Sequence, residues 1–315
     1  MTVEPAPADT ADPVRRGEAL VTSAPPRRRR PLTPARVALH VFLVTSSLIF
    51  LFPLLYAVYT SLRPYTETAR YGYFSLPRGL TLDNYSKAWE QSRVLHFLVN
   101  TLVIVLPSLV LILLLSSFVA FGLARFRIRG RKAFLILFTA GNLLPQQILV
   151  TPLYQAYRLW DDQGWVLDRQ AFIYDTYWGV IAIHVAFQIG FCAFVLTNYM
   201  EALPQELTEA ALVDGAGVWR QYATITMPLC RAPLAALATL EFTWIYNDFL
   251  WALVLMNTGD KRPITSALNN LRGQFFTDNN LLAAGAVIIA LPTVVVYFLL
   301  QKQFVGGLTL GASKG

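Results

Sequence analysis

The stretch FLVNTLVIVLPSLVLILLLSSFVAFGLA, residues 97–124, decides the fold class. It holds no Asp, Glu, Lys or Arg over 28 consecutive positions. A helix needs ~20 apolar residues to cross a bilayer core. In hydrocarbon, backbone polar groups must be bonded within the segment or within a closed barrel. Barrel strands alternate apolar and polar positions over ~10 residues. This run does not alternate, so it reads as a membrane-spanning helix.

Five more apolar runs flank it, at 37–62, 133–157, 177–199, 232–256 and 281–300. The sequence therefore predicts an all-α membrane protein with six spans. Composition agrees. Hydrophobic residues make up 55% of the 315 and charged residues 14%, with mean hydropathy +0.46. Soluble domains carry ~25% charged residues, so a water-soluble enzyme is excluded. Disorder over most of the chain is excluded as well, because it needs low hydrophobicity. The two cysteines, Cys192 and Cys230, cannot form a disulfide scaffold or a Cys-rich metal site.

The net charge of +7 fits either nucleic acid or a membrane surface. Its placement decides for the membrane. Segments 1–36, 125–132, 200–231 and 301–315 hold 16 of the 26 Lys and Arg residues. The short turn 125–132, RFRIRGRK, has five positives and no acid. By the positive-inside rule that set faces the cytoplasm, with both termini inside. Residues 1–36, with seven prolines and Arg27–Arg30 in a row, read as a disordered cytoplasmic tail. The run following them is too long for a signal-peptide core. Residues 37–300 form the six-span domain, and 301–315 a Gly-rich cytoplasmic tail.

Between spans four and five lies the segment 201–228, EALPQELTEAALVDGAGVWRQYATITMP. Pro204 suits a first helical turn. Glu206 and Glu209 suit a helix N-terminal half. Leu207, Ala210 and Ala211 make a short apolar stripe. Gly215 is a helix stop, expected in a left-handed backbone. A second short helix is predicted over 218–225, ending before Pro228. The residues alone leave two readings open: a docking helix for another protein, or a loop packed on its own bundle.

The string EAALVDGA at 209–216, followed by Ile225-Thr226-Met227-Pro228, resembles the EAA loop of binding-protein-dependent ABC importer permeases. The likeness is sharpest to the second permease of maltose-type carbohydrate importers. Further strings match in chain order: LTLDNY at 80–85, Asn100-Thr101-Leu102, LARFRIRGR at 123–131, Leu144-Pro145 with Pro152-Leu153-Tyr154, DTYWGVI at 175–181, NDFLWALVL at 247–255, and Gly307-Leu308 with GASKG at 311–315. The resemblance spans ~37–315. It implies that Glu209, Ala210, Ala211, Asp214 and Gly215 form a coupling helix docked in a cleft of an ATPase subunit. It also implies a second permease as heterodimer partner, an ATP-binding subunit dimer and an extracellular sugar-binding protein. ATP and Mg would be handled by the ATPase, with no cofactor on this chain. Tail 1–36 and the outer loop 158–176 look longer than the family pattern.

Span five carries Glu241 and Asp248, seven residues apart. On one continuous helix they would share a face, because seven residues turn ~700°. Trp244, Asn247 and Trp251 adjoin them. Acids in a bilayer face a bundle interior or a wet path. Trp244, Asn247, Asp248 and Trp251 are therefore expected along a sugar path. Interhelical bonding to a sister subunit is the other reading. His184 and Gln188, one turn apart on span four, read as buried hydrogen-bonding groups, and Cys192 as a small apolar packer. Pro145 should kink or open span three. No phosphate-binding Gly-rich loop, G-x-S-x-G or H-E-x-x-H string occurs. The expectation is a non-enzymatic permease subunit of an ATP-driven sugar importer. The alternative is an ion-coupled carrier using Glu241, Asp248 and His184; carriers are often built from repeats, and none is visible.

Overall fold

The computed structural model describes residues 33–162, 173–271 and 277–309. Most of the predicted tail 1–36, the centre of the outer loop 158–176 and the end at 311–315 lie outside those residues. The chain divides into two compact units, Met1–Phe52 and Pro53–Gly315. In the first, the described residues open helix α1 (Pro34–Ser61). Its Val41, Phe42, Ile49 and Phe50 are exposed, as suits a helix bathed in lipid.

The described residues of the second unit are helices and their connections. α2 (Tyr65–Tyr71) and α3 (Asp83–Gln91) are short. α4 (Val94–Arg125) is the span predicted from 97–124. α5 (Arg131–Leu143) and α6 (Gln146–Asp162) replace span three. They meet at Leu144-Pro145 with a bend of 95°. The expected opening at Pro145 is thus a full break: the ring cannot donate to the helix ladder. α7 (Tyr177–Ala202) is span four, started by Thr176, whose Oγ1 accepts from Gly179 N at 3.2 Å. α8 (Glu206–Val213) follows. α9 (Val218–Arg220), a π turn over Gln221–Thr226 and α10 (Met227–Leu229) run on without a break. The predicted end before Pro228 is therefore wrong; Pro228 is accepted within the first turn of α10.

Span five is also revised. α11 (Arg231–Tyr246) stops, and α12 (Leu250–Leu255) restarts after Asn247, Asp248 and Phe249. Glu241 and Asp248 therefore do not share a face of one continuous helix, as their seven-residue spacing predicted. α13 (Asn279–Thr309) closes the chain. Among the described residues, four helices are long and apolar enough to cross a membrane, or up to six if each bent pair is one span.

α4 and α7 form the most extensive helix pair. Ile104, Ser108, Ile112, Ser116 and Ala120 recur every four residues on α4, and all are buried. Such a ridge interdigitates with a neighbouring helix, and its small members let backbones approach. Leu106, Val110 and Leu114 on the other side are exposed. Gly190 of α7 meets α5 at the closest approach. A Cβ there would collide with the Phe138 carbonyl and lie 3.2 Å from Asn142 Nδ2.

Polar ties hold the segment after α1. Arg63 is fully buried; its Nε and Nη2 donate to Glu67 Oε1 at 3.0 and 2.7 Å. Glu67 also accepts from Arg78 N and Gly79 N. Asn280, at the start of α13, donates to Thr60 O and Arg63 O. Asp175 takes a left-handed φ of 59°. Its carboxylate accepts from Asn257 N, Thr258 N and Thr258 Oγ1, tying the entrance of α7 to the segment after α12.

Candidate functional site: a cavity beside the broken span and a helix at its far end

Two features stand out, joined by one continuous run of chain. The first is a cavity of about 480 Å³. Asn142 from α5 and Gln146 from α6 flank the Pro145 break. His184, Gln188 and Phe191 come from α7, Trp244 from α11, Asp248 from the break in span five and Trp251 from α12. Both helix breaks therefore open onto the same space.

Each break serves the cavity by freeing polar groups in an apolar bundle. The turn at Asn247–Phe249 turns the Asp248 side chain toward the N–H groups of Leu250, Trp251 and Ala252. A carboxylate at that position complements the positive end of α12. Its Oδ2 is buried and makes no hydrogen bond among the described residues. His184 Nε2 lies 3.8 Å from that oxygen, too far for a hydrogen bond. Rings flank the acid. Phe191 packs against Trp244 at 5.6 Å between centroids, and Phe187 against Trp251 at 5.4 Å. Flat apolar faces beside amides and a carboxylate suit a polyhydroxylated ligand: rings cover C–H faces, while polar groups bond hydroxyls.

Of the four expected path residues, Trp244, Asp248 and Trp251 line this cavity. Asn247 is exposed and not among the lining residues; its Nδ2 donates to Thr243 O at 2.8 Å, within its own helix end. Glu241 is not among them either. It has no exposed surface, and its Oε1 accepts from Cys192 Sγ at 3.2 Å. Cys192 is thus a partner of an acid rather than a plain packer. The sequence reading missed Asn142 and Phe191 as wall residues, and missed that His184 meets an acid from another helix. A lone His on an apolar helix carries no sign of a neighbour 64 positions away.

The second feature is α8. Gly215 has φ 71°. Its N–H donates to Leu212 O at 3.0 Å, and Ala216 N to Ala211 O at 2.8 Å. This pair of bonds is a Schellman stop, which needs a left-handed residue after the helix. Pro204 lies just ahead of the helix, not in its first turn. Glu209, Ala210, Asp214 and Gly215 are exposed, as are Leu207, Leu212 and Val213. Ala211 is buried, as is Ala216. The stripe Leu207–Ala210–Ala211 is therefore split: Ala211 faces inward, and an outward docking face has to use Leu207, Ala210, Leu212 and Val213. Glu209 also borders a cavity of about 410 Å³ walled by Arg125, Arg127 and Arg131. Arg131 pairs with Glu201.

The run from α9 to α10 ties α8 to the bundle. Gln221 Nε2 donates to Ala216 O at 2.7 Å. Tyr222 OH bonds Ser117 Oγ of α4 at 2.7 Å, and its ring stacks near Phe118 and Trp219. The run then bends by 73° into α11. α11 has 16 residues, hence ~24 Å of rise. It carries Trp244, and its end delivers Asp248. α8 is thus joined to the cavity wall by a continuous run of helical chain.

Candidate spans broken around a polar cavity, with an exposed helix tied to one of them, are the architecture of a polytopic α-helical membrane protein. The chain belongs to the family described as binding-protein-dependent transport system inner membrane component, whose model matches residues 89–309. It is a multi-pass integral membrane protein and a transport component, not an enzyme. The maltodextrin transport system permease of Bacillus subtilis is 31% identical over 89% of this chain and 96% of its own length. The diacetylchitobiose uptake system permease of Streptomyces coelicolor is 29% identical over 86% and 87%. A solved bacterial ABC transporter for import of the acidic polysaccharide alginate has a chain of the same fold. Its TM-score is 0.71 at 22% identity, covering 85% of this chain and 95% of that one.

Proposed function

We propose that this chain is one permease of a heterodimer in an ATP-driven importer of oligosaccharides. The cavity behind Asp248 is this chain's share of the sugar path. α8 is the coupling helix, with Glu209, Ala210, Asp214 and Gly215 at the contact with an ATP-binding subunit. ATP and Mg are bound and turned over by that partner dimer. A sugar-binding protein delivers cargo on the opposite, outer side, and both termini and the Arg-rich turn 125–132 are cytoplasmic. In operation, closure of the ATPase dimer displaces α8. Gln221, Tyr222 and the bent rod into α11 carry that displacement to Trp244 and Asp248, changing access to the cavity.

The observation that supports this most is the Asp248 carboxylate in the wall of a cavity that also carries Trp244 and Trp251. An acid kept within a membrane bundle faces a wet path or a polar partner, and the 13% of this side chain left exposed can accept from a sugar hydroxyl. The names of the sugar-transport relatives point the same way. No observation favours the ion-coupled carrier, since Glu241 does not line the cavity that holds His184 and Asp248.

The test is uptake of labelled maltotriose and diacetylchitobiose by cells carrying the whole importer, with this chain varied. Asp248→Ala and Trp244→Ala should each lower uptake by about tenfold or more, as loss of a charged or aromatic contact does. The ATP-binding subunit should co-purify in normal yield. Normal uptake in a well-expressed Asp248→Ala strain would make that residue structural and end the path reading.

A further inference from the structure

We infer that this cavity passes uncharged saccharides and rejects anionic ones, with Asp248 as the residue that sets the charge rule. The inference rests on the reading of the cavity as the sugar path and names the substrate class that path takes.

Three observations carry it. First, among the described residues the wall contains no Lys or Arg. A uronate or a sugar phosphate entering it would lose water and gain no counter-charge, which is strongly unfavourable. Second, the wall does contain a carboxylate, Asp248, with 13% of its side chain exposed. It accepts from a hydroxyl and repels a second anion; like charges brought together are a standard device for excluding a wrong ligand. Third, His184 is, among the described residues, the one lining group that can become cationic, and it sits 3.8 Å from Asp248 Oδ2 with 7% of its side chain exposed. Any proton it takes up is matched by Asp248 before it can serve a ligand. The remaining polar wall groups, Asn142, Gln146 and Gln188, are amides that serve neutral hydroxyls as donor or acceptor.

The fold carries no such information. A transporter of the same fold imports an acidic polysaccharide, so cargo charge has to be set by wall residues. In this chain those residues are neutral or negative.

The experiment uses the assembled importer, purified without its binding protein and held by a non-hydrolysable ATP analogue. Equilibrium binding is measured for maltotriose and for the same trisaccharide with its terminal glucose oxidised to glucuronate. Wild type should bind the neutral form about tenfold or more tightly than the acid, given the size of like-charge penalties. In Asp248→Asn, which keeps the shape, that ratio should fall by at least about threefold, chiefly through better binding of the acid. Equal binding of the two sugars to wild type, or an unchanged ratio in Asp248→Asn, overturns the charge rule. Trp244→Ala separates the two readings. If it leaves maltotriose binding unchanged, the path reading itself is wrong. If it abolishes binding while wild type treats both sugars alike, the path stands and only the charge rule falls. Failure of wild type to bind either sugar removes both.

Discussion

Gly215 shows how one residue joins helix geometry to a docking surface. Its φ of 71° is left-handed, and a Cβ built on it meets no atom within 4 Å. A side chain there meets only the backbone penalty, about 1–2 kcal/mol. Gly215→Ala and Gly215→Leu should therefore lower the thermal stability of the detergent-solubilised chain by similar amounts. Their effects on the assembled importer should differ. If α8 docks on an ATP-binding subunit as proposed, Leu projects into that contact, so sugar-stimulated ATP hydrolysis should be lost with Leu and largely kept with Ala. Equal ATPase activity in both variants would move the coupling contact elsewhere. Glu67 makes a second residue-scale prediction. Hydrogen bonds from Arg63 hold its carboxyl below the ordinary value of 4.5, outweighing its burial. A depressed folded value gives stability that is present above the unfolded value and lost as pH falls through the folded one. Melting temperature should thus fall as pH drops below about 4.5, and Glu67→Gln should be less stable at pH 7 yet show a flatter acid limb.

At the scale of elements, the two broken spans and Gly190 matter most. The contact of α5 with α7 depends on the missing side chain at Gly190, which lets the Phe138 carbonyl approach. Gly190→Val should push α5 away and carry Asn142 out of the cavity wall. Uptake should fall severalfold, while α8, which is tied to α4 through Tyr222 and Ser117, should still retain the ATP-binding subunit in pull-downs. Loss of that subunit along with transport would mean the substitution unfolds the bundle instead. The breaks also show why helical-wheel arguments failed in span five. The run 232–256 is long enough for one span, and its polar Asn247-Asp248 pair can sit either within a helix or at a break. Asn247-Asp248 ends α11 because Asp248 and the backbone of Leu250–Ala252 satisfy each other better outside a continuous helix. The Pro145 break was legible, because proline lacks the N–H that a helix requires.

For the whole molecule, the testable quantity is topology. An export-dependent reporter should be active when inserted at residue 70 and inactive at residue 128 or 210. The turn 125–132 carries five cations and no acid, and moving such a loop outward opposes the positive-inside bias. Activity at 128 would invert the assignment of α8 to the cytoplasm and with it the coupling role. The all-helical class, the positions of the apolar runs and the EAA segment were all readable from the chain, because each is a local property. Span-length hydrophobicity, charge bias and a helix stop at Gly215 depend on residues close together in sequence, and the bilayer imposes a single length scale on them. Tertiary structure decided what depends on distance across the bundle. It turned Ala211 inward, took Asn247 off the cavity wall, placed Glu241 in the core beside Cys192, and set His184 against Asp248. It also gathered Asn142, Phe191, Trp244 and Trp251 around one cavity. Those outcomes follow from which helices pack, how closely Gly190 lets them approach and where spans break, and no periodicity within a single span encodes them.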